Sequence, residues 1–236
     1  MQDLENWQPP RWPDATVLDG RYARLERLTT AHGHDLHAAN RESDAIWDYL
    51  PYGPFADADG YLGWIADTAS GEDPRFHAIL DKDAGRWGGV ASLMRIKPAA
   101  GSIEVGHINF AQPLQKTRAA TEAMFLLMQW VFEAGYRRYE WKCDARNLGS
   151  RRAAERFGFS YEGIFRQAGV VRGRNRDTAW FACIDREWPA LKAAYETWLD
   201  PANFDDDGRQ RQSLSALTGP VLVTRDPGGA RSGVSV

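Results

Sequence analysis

The sequence predicts an α+β fold: a mixed sheet flanked by helices, with one central buried helix after the fourth main strand. Three observations predict it. Short apolar runs bounded by Gly, Pro, Asn and Asp recur along the chain, as strands require. Between residues 119 and 134 only Thr121, Glu122, Gln129 and Glu133 are polar, so that helix must be packed nearly all round. It lies between two strand-like runs, and a strand–helix–strand unit implies a crossover between parallel neighbours in a mixed sheet.

The elements follow in order. Residues 1–14 hold Trp7, Pro9, Pro10, Trp12 and Pro13 and read as an extended arm packed on the domain, because proline blocks helix and both indoles want burial. Residues 17–28 give strand-like segments around the turn pair Asp19-Gly20. Thr29 or Thr30 can cap a helix reaching about residue 41; a second helical stretch runs through Trp47, and a helix at 59–69 follows the loop at 51–57. Runs 76–80 and 88–96, parted by Asp81, Asp83 and Gly85, read as a hairpin. Run 103–110 is a strand that Pro113 ends. In the long helix over 115–134, Glu122, Gln129 and Glu133 are spaced by 7 and 4, which predicts one narrow wet stripe. Gly135 stops it, 139–143 is a strand, and a short helix over 147–157 ends at Gly158 in a left-handed cap. Strands 159–171 and 178–184 meet around Gly173-Arg174-Asn175. Trp188, Leu191, Tyr195 and Trp198 are spaced for a last helix. The expected organisation is an arm at 1–14, a domain at 15–200 and a tail at 201–236.

Composition narrows the function classes. The chain has 236 residues, 43% hydrophobic and 26% charged, with 29 Lys+Arg against 32 Asp+Glu for a net charge of −3. That balance gives no bulk electrostatic case for nucleic acid or anionic membrane. Cys143 and Cys183, the two cysteines, make neither a disulfide framework nor a four-thiolate zinc site. No run of 18 apolar residues spans a membrane, and the N-terminus lacks a signal peptide's apolar stretch. The expected setting is cytoplasmic.

The segment that carries chemistry begins at Asn109 and Phe110, where a strand ends, and continues through Gln115-Lys116-Thr117-Arg118-Ala119-Ala120 into the buried helix. A helix N-terminus leaves backbone N–H groups unpaired and carries partial positive charge. Small residues such as Ala119 and Ala120 let an anion approach, and Lys116 and Arg118 at the rim favour a pyrophosphate. An ordinary strand-to-helix turn with solvated cations accounts for the same residues.

Together with a second block, Asn147-Leu148-Gly149-Ser150 leading to Gly158-Phe159, this segment resembles the GCN5-related N-acetyltransferase (GNAT) superfamily, in particular its ribosomal-protein N-terminal (Rim-type) branch. That family's acetyl-CoA loop reads Gln/Arg-x-x-Gly-x-Gly/Ala, followed in this branch by Thr-Glu-Ala; here Gln115, Ala120 and Thr121-Glu122-Ala123 are in register. Its second block reads Asn-x-x-Ala/Ser and, after seven intervening residues, Gly-Phe. The match runs over roughly 16–200. It implies a mostly antiparallel GNAT-like sheet and acetyl transfer from acetyl-CoA, a co-substrate, to a primary amine of a small molecule or a protein N-terminus. It implies direct attack in a ternary complex, with no metal. Asn109, Phe110, Gln115, Lys116, Thr117, Arg118, Ala119, Ala120 and Asn147 would hold the CoA. Arg118 departs from the loop's glycine and either contributes a phosphate contact or obstructs the loop.

The chemistry sets the parts list. The amine must lose a proton to a base or along a water route. The thioester oxygen needs a donor, in this family a backbone N–H on the strand before the loop, here near Asn109, Phe110 and Ala111. The departing thiolate needs a proton. Many relatives place a Tyr seven residues after the Asn; here that residue is Ala154, so the role falls to Ser150, as in Rim-type relatives. Asn147 would hold the pantetheine arm or a water. Glu104 leads as base, over His107 and Glu140; a Glu104 paired with an arginine is the alternative. Glu104 and His107 face opposite sides unless a bulge intervenes. Some relatives carry a carboxylate near Gly169, absent here.

Other groupings are weaker. His32, His34 and His37 beside Asp35 read as a surface helix rather than a metal site. Cys143 and Cys183 read as core residues. Trp47, Tyr49, Tyr52 and Trp64 fit either an acceptor wall or a core. Arg172, Arg174 and Arg176 at the hairpin read as a solvated tip or as a contact for an acidic acceptor. A non-catalytic CoA-binding module on the same fold, an enzyme of another acyl-CoA, and a homodimer are all compatible with the sequence.

Overall fold

Turn residues cut the chain where expected. Among the described residues, 4–228, the computed structural model has eight strands in one sheet. They are β1 (Val17–Asp19), β2 (Ala23–Arg27), β3 (Arg75–Asp81), β4 (Arg86–Lys97), β5 (Ser102–Phe110), β6 (Arg138–Asp144), β7 (Ser160–Val171) and β8 (Arg174–Ile184). The order is β1-β2-β3-β4-β5-β6-β8-β7. Every neighbouring pair is antiparallel except β5–β6. The helices are α1 (Gly33–Asn40), α2 (Ala58–Ala69), α3 (Arg118–Glu133), α4 (Leu148–Arg156), α5 (Trp188–Leu199) and α6 (Leu214–Thr218). Run 17–28 divides into two strands, so α3 follows the fifth strand; it is the crossover between parallel β5 and β6.

Side-chain alternation along the strands builds a core on each face of the sheet. Ile79, Ala91, Leu93, Ile103 and Val105 join the main core with α3 and α5, while Phe76, Ala78 and Val90 join a second core with α1 and α2. The aromatic set belongs largely to this second core. Trp47 and Tyr61 are buried in it, Tyr52 and Trp64 pack against it, and Trp64 stacks on Tyr61 with centroids 5.4 Å apart. Of the four aromatics open to two readings, only Tyr49 lines the cleft described below.

Glu122 is not part of a wet stripe. It is buried, and its carboxylate accepts from the backbone N–H groups of Arg21 (3.0 Å), Tyr22 (2.6 Å) and Ala23 (2.7 Å). It therefore ties α3 to the β1–β2 turn. Gly20 allows this approach, since a Cβ there would lie 2.4 Å from Glu122 Oε2. Gly158 ends α4 at φ +87 as expected, and a Cβ there would strike Leu191 at 2.3 Å.

The arm over 4–14 lies against the domain. The Arg137 guanidinium sits 5.6 Å over the Trp7 ring, and Tyr136 donates to the Arg11 carbonyl. Trp12, expected to be buried, is exposed. Residues 201–228 do not trail away as a tail would. They form a 3-10 turn (Pro201–Asn203), α6 and a further 3-10 turn (Gly219–Val221), with Leu214 and Thr218 fully buried. Asp226, buried, takes two hydrogen bonds from Arg151 of α4, one of them Nε to Oδ2 at 2.7 Å. The last expected tail residues, 229–236, lie outside the described residues.

Candidate active site

The parallel pair β5–β6 makes the site. Its pairing runs from Ser102↔Arg138 to Val105↔Trp141, and beyond that both strands continue without pairing each other. They splay at their carboxyl ends, next to the N-terminus of α3, the kind of place where open sheets bind ligands. A cleft of about 1780 Å³ opens there. Single ligand pockets are typically ~300–1,000 Å³, so the cleft is larger than one ligand requires.

The head of α3 brings free backbone donors and cations to the cleft. Thr117 is the N-cap of α3; its hydroxyl accepts from Ala120 N–H at 3.0 Å and donates to the Leu114 carbonyl. The first backbone bond of the helix runs from Thr121 N–H to the Thr117 carbonyl. The amides of Arg118 and Ala119 precede any intrahelical acceptor and remain available. Thr117 therefore shapes the loop, while Arg118 and Ala119 offer donors. Lys116 holds φ +64, the left-handed conformation that turns the chain into the helix. Gln115 donates to the Phe110 carbonyl at 2.9 Å.

Arg118 is the first helical residue, so its backbone makes no demand for glycine there. Its guanidinium lies 4.7 Å over Tyr22 and 5.1 Å over Phe204 and reaches Asp83 at 3.4 Å. A cation that the sequence did not single out stands nearby. Arg156, at the end of α4, donates to Thr121 Oγ1 at 3.2 Å, stacks over Phe157 and Trp198, and forms no ion pair among the described residues. Phe204, Arg209 and Gln210 also line this end of the cleft.

Ser150 and Asn147 stand on the opposite wall. Asn147 is the N-cap of α4, its Oδ1 accepting from Ser150 N–H at 3.0 Å. Trp141 Nε1 donates to Ser150 Oγ at 3.0 Å, a contact between β6 and α4 that no local pattern of residues signals. Cys143, free and buried, sits beside them, and burial pushes its thiol up to about 11 against the smaller opposing effect of Ser150. It is a thiol at neutral pH and a poor nucleophile. Ala154, where many relatives carry the tyrosine, is fully buried in the main core.

A bulge brings Glu104 and His107 to one cleft. Ser92 pairs with Gly106 and Val90 with Asn109, so two residues of β5 oppose Ala91, and His107 takes φ +50. Glu104 is buried and held by two cations, Arg95 at 2.7 Å and Lys142 at 2.8 Å. The pairing with arginine weighed from the sequence is thus present. Lys142 also meets Glu140 at 2.7 Å and lies 3.8 Å over the Trp180 ring. Burial lowers His107 to about 4, with Arg95 and Arg176 adding to the shift, and its Nδ1 lies 3.2 Å from the Tyr52 hydroxyl. Asn109 is buried with both amide atoms lacking partners, whereas the Ala111 N–H is taken by the Gly88 carbonyl. Among the described residues no three His, Cys, Asp or Glu side chains are grouped for a metal, and no helix is long and apolar enough to cross a membrane.

The family model described as an acetyltransferase (GNAT) domain matches residues 23–160, more than half of the chain. A GCN5-related N-acetyltransferase from Brucella melitensis is 48% identical, with a TM-score of 0.89 over 92% of this chain and 100% of that one. A probable GNAT-family acetyltransferase from Chromobacterium violaceum is 41% identical, with a TM-score of 0.75 over 80% of this chain and 96% of that one. The microcin C7 self-immunity acetyltransferase MccE, in complex with acetyl-CoA and AMP, is 19% identical (TM-score 0.62, 70% of this chain and 93% of that one) and shares the fold alone. No curated protein matches. The chain belongs to the GNAT acetyltransferase family, and the protein is an acyltransferase.

Proposed function

We propose that the protein transfers the acetyl group of acetyl-CoA to a primary amine by direct attack in a ternary complex. The observation that carries this reading is the continuity of the cleft. It joins the free amides of Arg118 and Ala119 at the head of α3 to the Ser150 hydroxyl on α4. The amides and Lys116 are suited to a diphosphate, and Arg156 adds a cation on the far wall. The thioester supplies an activated acyl carbon and a thiolate leaving group. Ser150 Oγ accepts from Trp141, which leaves its own O–H to meet a developing thiolate. Asn147 fixes Ser150 through its backbone. Cys143, held as a thiol, argues against an acyl-enzyme.

Neither Glu104 nor His107 suits direct proton abstraction. Glu104 already serves two cations, and a base with a pKa near 4 has little affinity for an ammonium proton. We assign proton removal to water in the open cleft, with Glu104 balancing charge on its wall. Thr121-Glu122-Ala123 and Ser150 support the Rim-type branch within the family. Initial-rate kinetics with acetyl-CoA and a panel of primary amines, following free thiol, test the reading. Intersecting double-reciprocal lines are expected. Parallel lines mean an acyl-enzyme, and no amine-dependent thiol release means a module that binds CoA without turnover.

A further inference from the structure

Resting on that reading, we infer that the acceptor amine carries an oxyanion, a carboxylate or a phosphate, and that Arg176 of β8 recognises it. Arg176 lines the cleft and is partly buried, yet its Nε is buried without a hydrogen-bond partner, and none of its nitrogens enters an ion pair among the described residues. A guanidinium has five donors, and leaving one buried and unpaired costs free energy. Four other cations in or beside the cleft already serve carboxylates. Arg95 and Lys142 hold Glu104, Arg146 holds Asp144, and Arg118 reaches Asp83. The residue across the ladder from Arg176 is Gly169, which offers no side chain.

The rest of the hairpin sharpens the contrast. Arg172 donates to the carbonyls of Tyr52 (3.0 Å) and Gly53 (2.8 Å), so it fastens the hairpin to the loop bordering the cleft. Arg174 is exposed at the tip. Of the three arginines only Arg176 faces the cleft without a partner. On β8 the period of two places Arg176 on the same face as Trp180, whose cross-strand partner Lys142 holds Glu104. That wall lies away from the α3 end where CoA is assigned, so it belongs to the acceptor. Its charge acts on other cleft groups, since it lowers both His107 and Asp144. Tyr49, Leu50 and Met94 on the same cleft give an apolar surface for the acceptor's body. A bidentate contact from Arg176 to an oxyanion fixes the amine's orientation, and a cation beside an ammonium favours its neutral, nucleophilic form.

Matched pairs test this. With saturating acetyl-CoA, L-phenylalanine is compared with 2-phenylethylamine, and O-phosphoethanolamine with ethanolamine, in the wild type, Arg176→Gln and Arg176→Lys. In at least one pair the anionic amine is expected to show a kcat/KM tenfold or more above its neutral partner. Arg176→Gln collapses that ratio to about one, chiefly through KM, and Arg176→Lys retains part of it. The pair that responds separates carboxylate from phosphate. CoA-loaded protein is also titrated calorimetrically with L-phenylalanine and O-phosphoethanolamine. Binding lost in Arg176→Gln upholds the anion site even if no amine is acetylated, which would overturn only the transferase reading. Turnover of amines with no anionic preference, a preference unmoved by Arg176→Gln, or no Arg176-dependent binding of either probe overturns the inference.

Discussion

Trp141 Nε1 lies 3.0 Å from Ser150 Oγ and donates to it, so the serine is an acceptor toward the indole and its own proton is directed elsewhere. The contact joins β6 to the first turn of α4, the two elements that wall the splayed end of the sheet. Ser150→Ala should lower kcat by roughly 10–1000-fold, the usual scale of acid–base contributions, and leave the acetyl-CoA Kd nearly unchanged. Trp141→Phe should lower kcat by a smaller factor with the serine intact. Steady-state rates beside calorimetric affinities decide this; unaltered turnover of Ser150→Ala at saturation removes the serine from the mechanism.

Asp226 reaches α4 from the far end of the chain. Removing one partner of a buried, hydrogen-bonded pair costs about 3–5 kcal/mol. For a protein of this size that is a fall in Tm of roughly 6–20 °C. Asp226→Ala should therefore melt well below the wild type, as should a chain ending at residue 200. A thermal scan that finds Asp226→Ala unchanged denies the segment its anchoring role.

Glu122 offers a test of stability apart from the cleft. Three backbone donors depend on its carboxylate. Orphaning buried donors costs about 1–3 kcal/mol each, and the Tyr22 and Ala23 amides are buried, so Glu122→Ala should lose at least about 2 kcal/mol in urea unfolding. Glu122→Gln, which keeps one acceptor oxygen, should lose less. Equal losses in both variants contradict the assignment.

Acid should destabilise the fold through two histidines. Burial lowers His77 and His107 from 6.5 to about 4. Between pH 6.5 and 4 the unfolded chain binds the protons that the folded chain refuses. Stability is thus fully present above 6.5 and falls as pH drops toward 4, by roughly 1.4 kcal/mol per unit for each histidine. Unfolding free energies measured across that window should rise with pH. The slope should shrink in His77→Gln, and an identical slope in that variant contradicts the shift.

Much of the fold was legible because its strands are short, apolar and bounded by turn residues. The two motifs also carry their own local geometry: Thr117 and Asn147 cap the helices they precede. What stayed hidden depends on contacts between distant segments. Glu122 fits a polar helical stripe by spacing, and nothing local reveals a turn 100 residues earlier closing on it. The polar start of the segment after residue 200 masks Leu214 and Asp226, which become core only against α4 and its neighbours. Arg172, Arg174 and Arg176 form one cationic run in sequence. Their fates diverge because the hairpin lays one on a loop, one in solvent and one in the cleft. The bulge at His107 likewise cannot be read from alternating residues.

The central claim places the diphosphate of acetyl-CoA at the head of α3. A crystal structure of the protein with acetyl-CoA tests it most directly. Diphosphate oxygens within hydrogen-bonding distance of the Arg118 and Ala119 amides, with the thioester sulfur beside Ser150, are the predicted result. A helix end covered by the Arg118 side chain, with the co-substrate bound elsewhere or not at all, would contradict it.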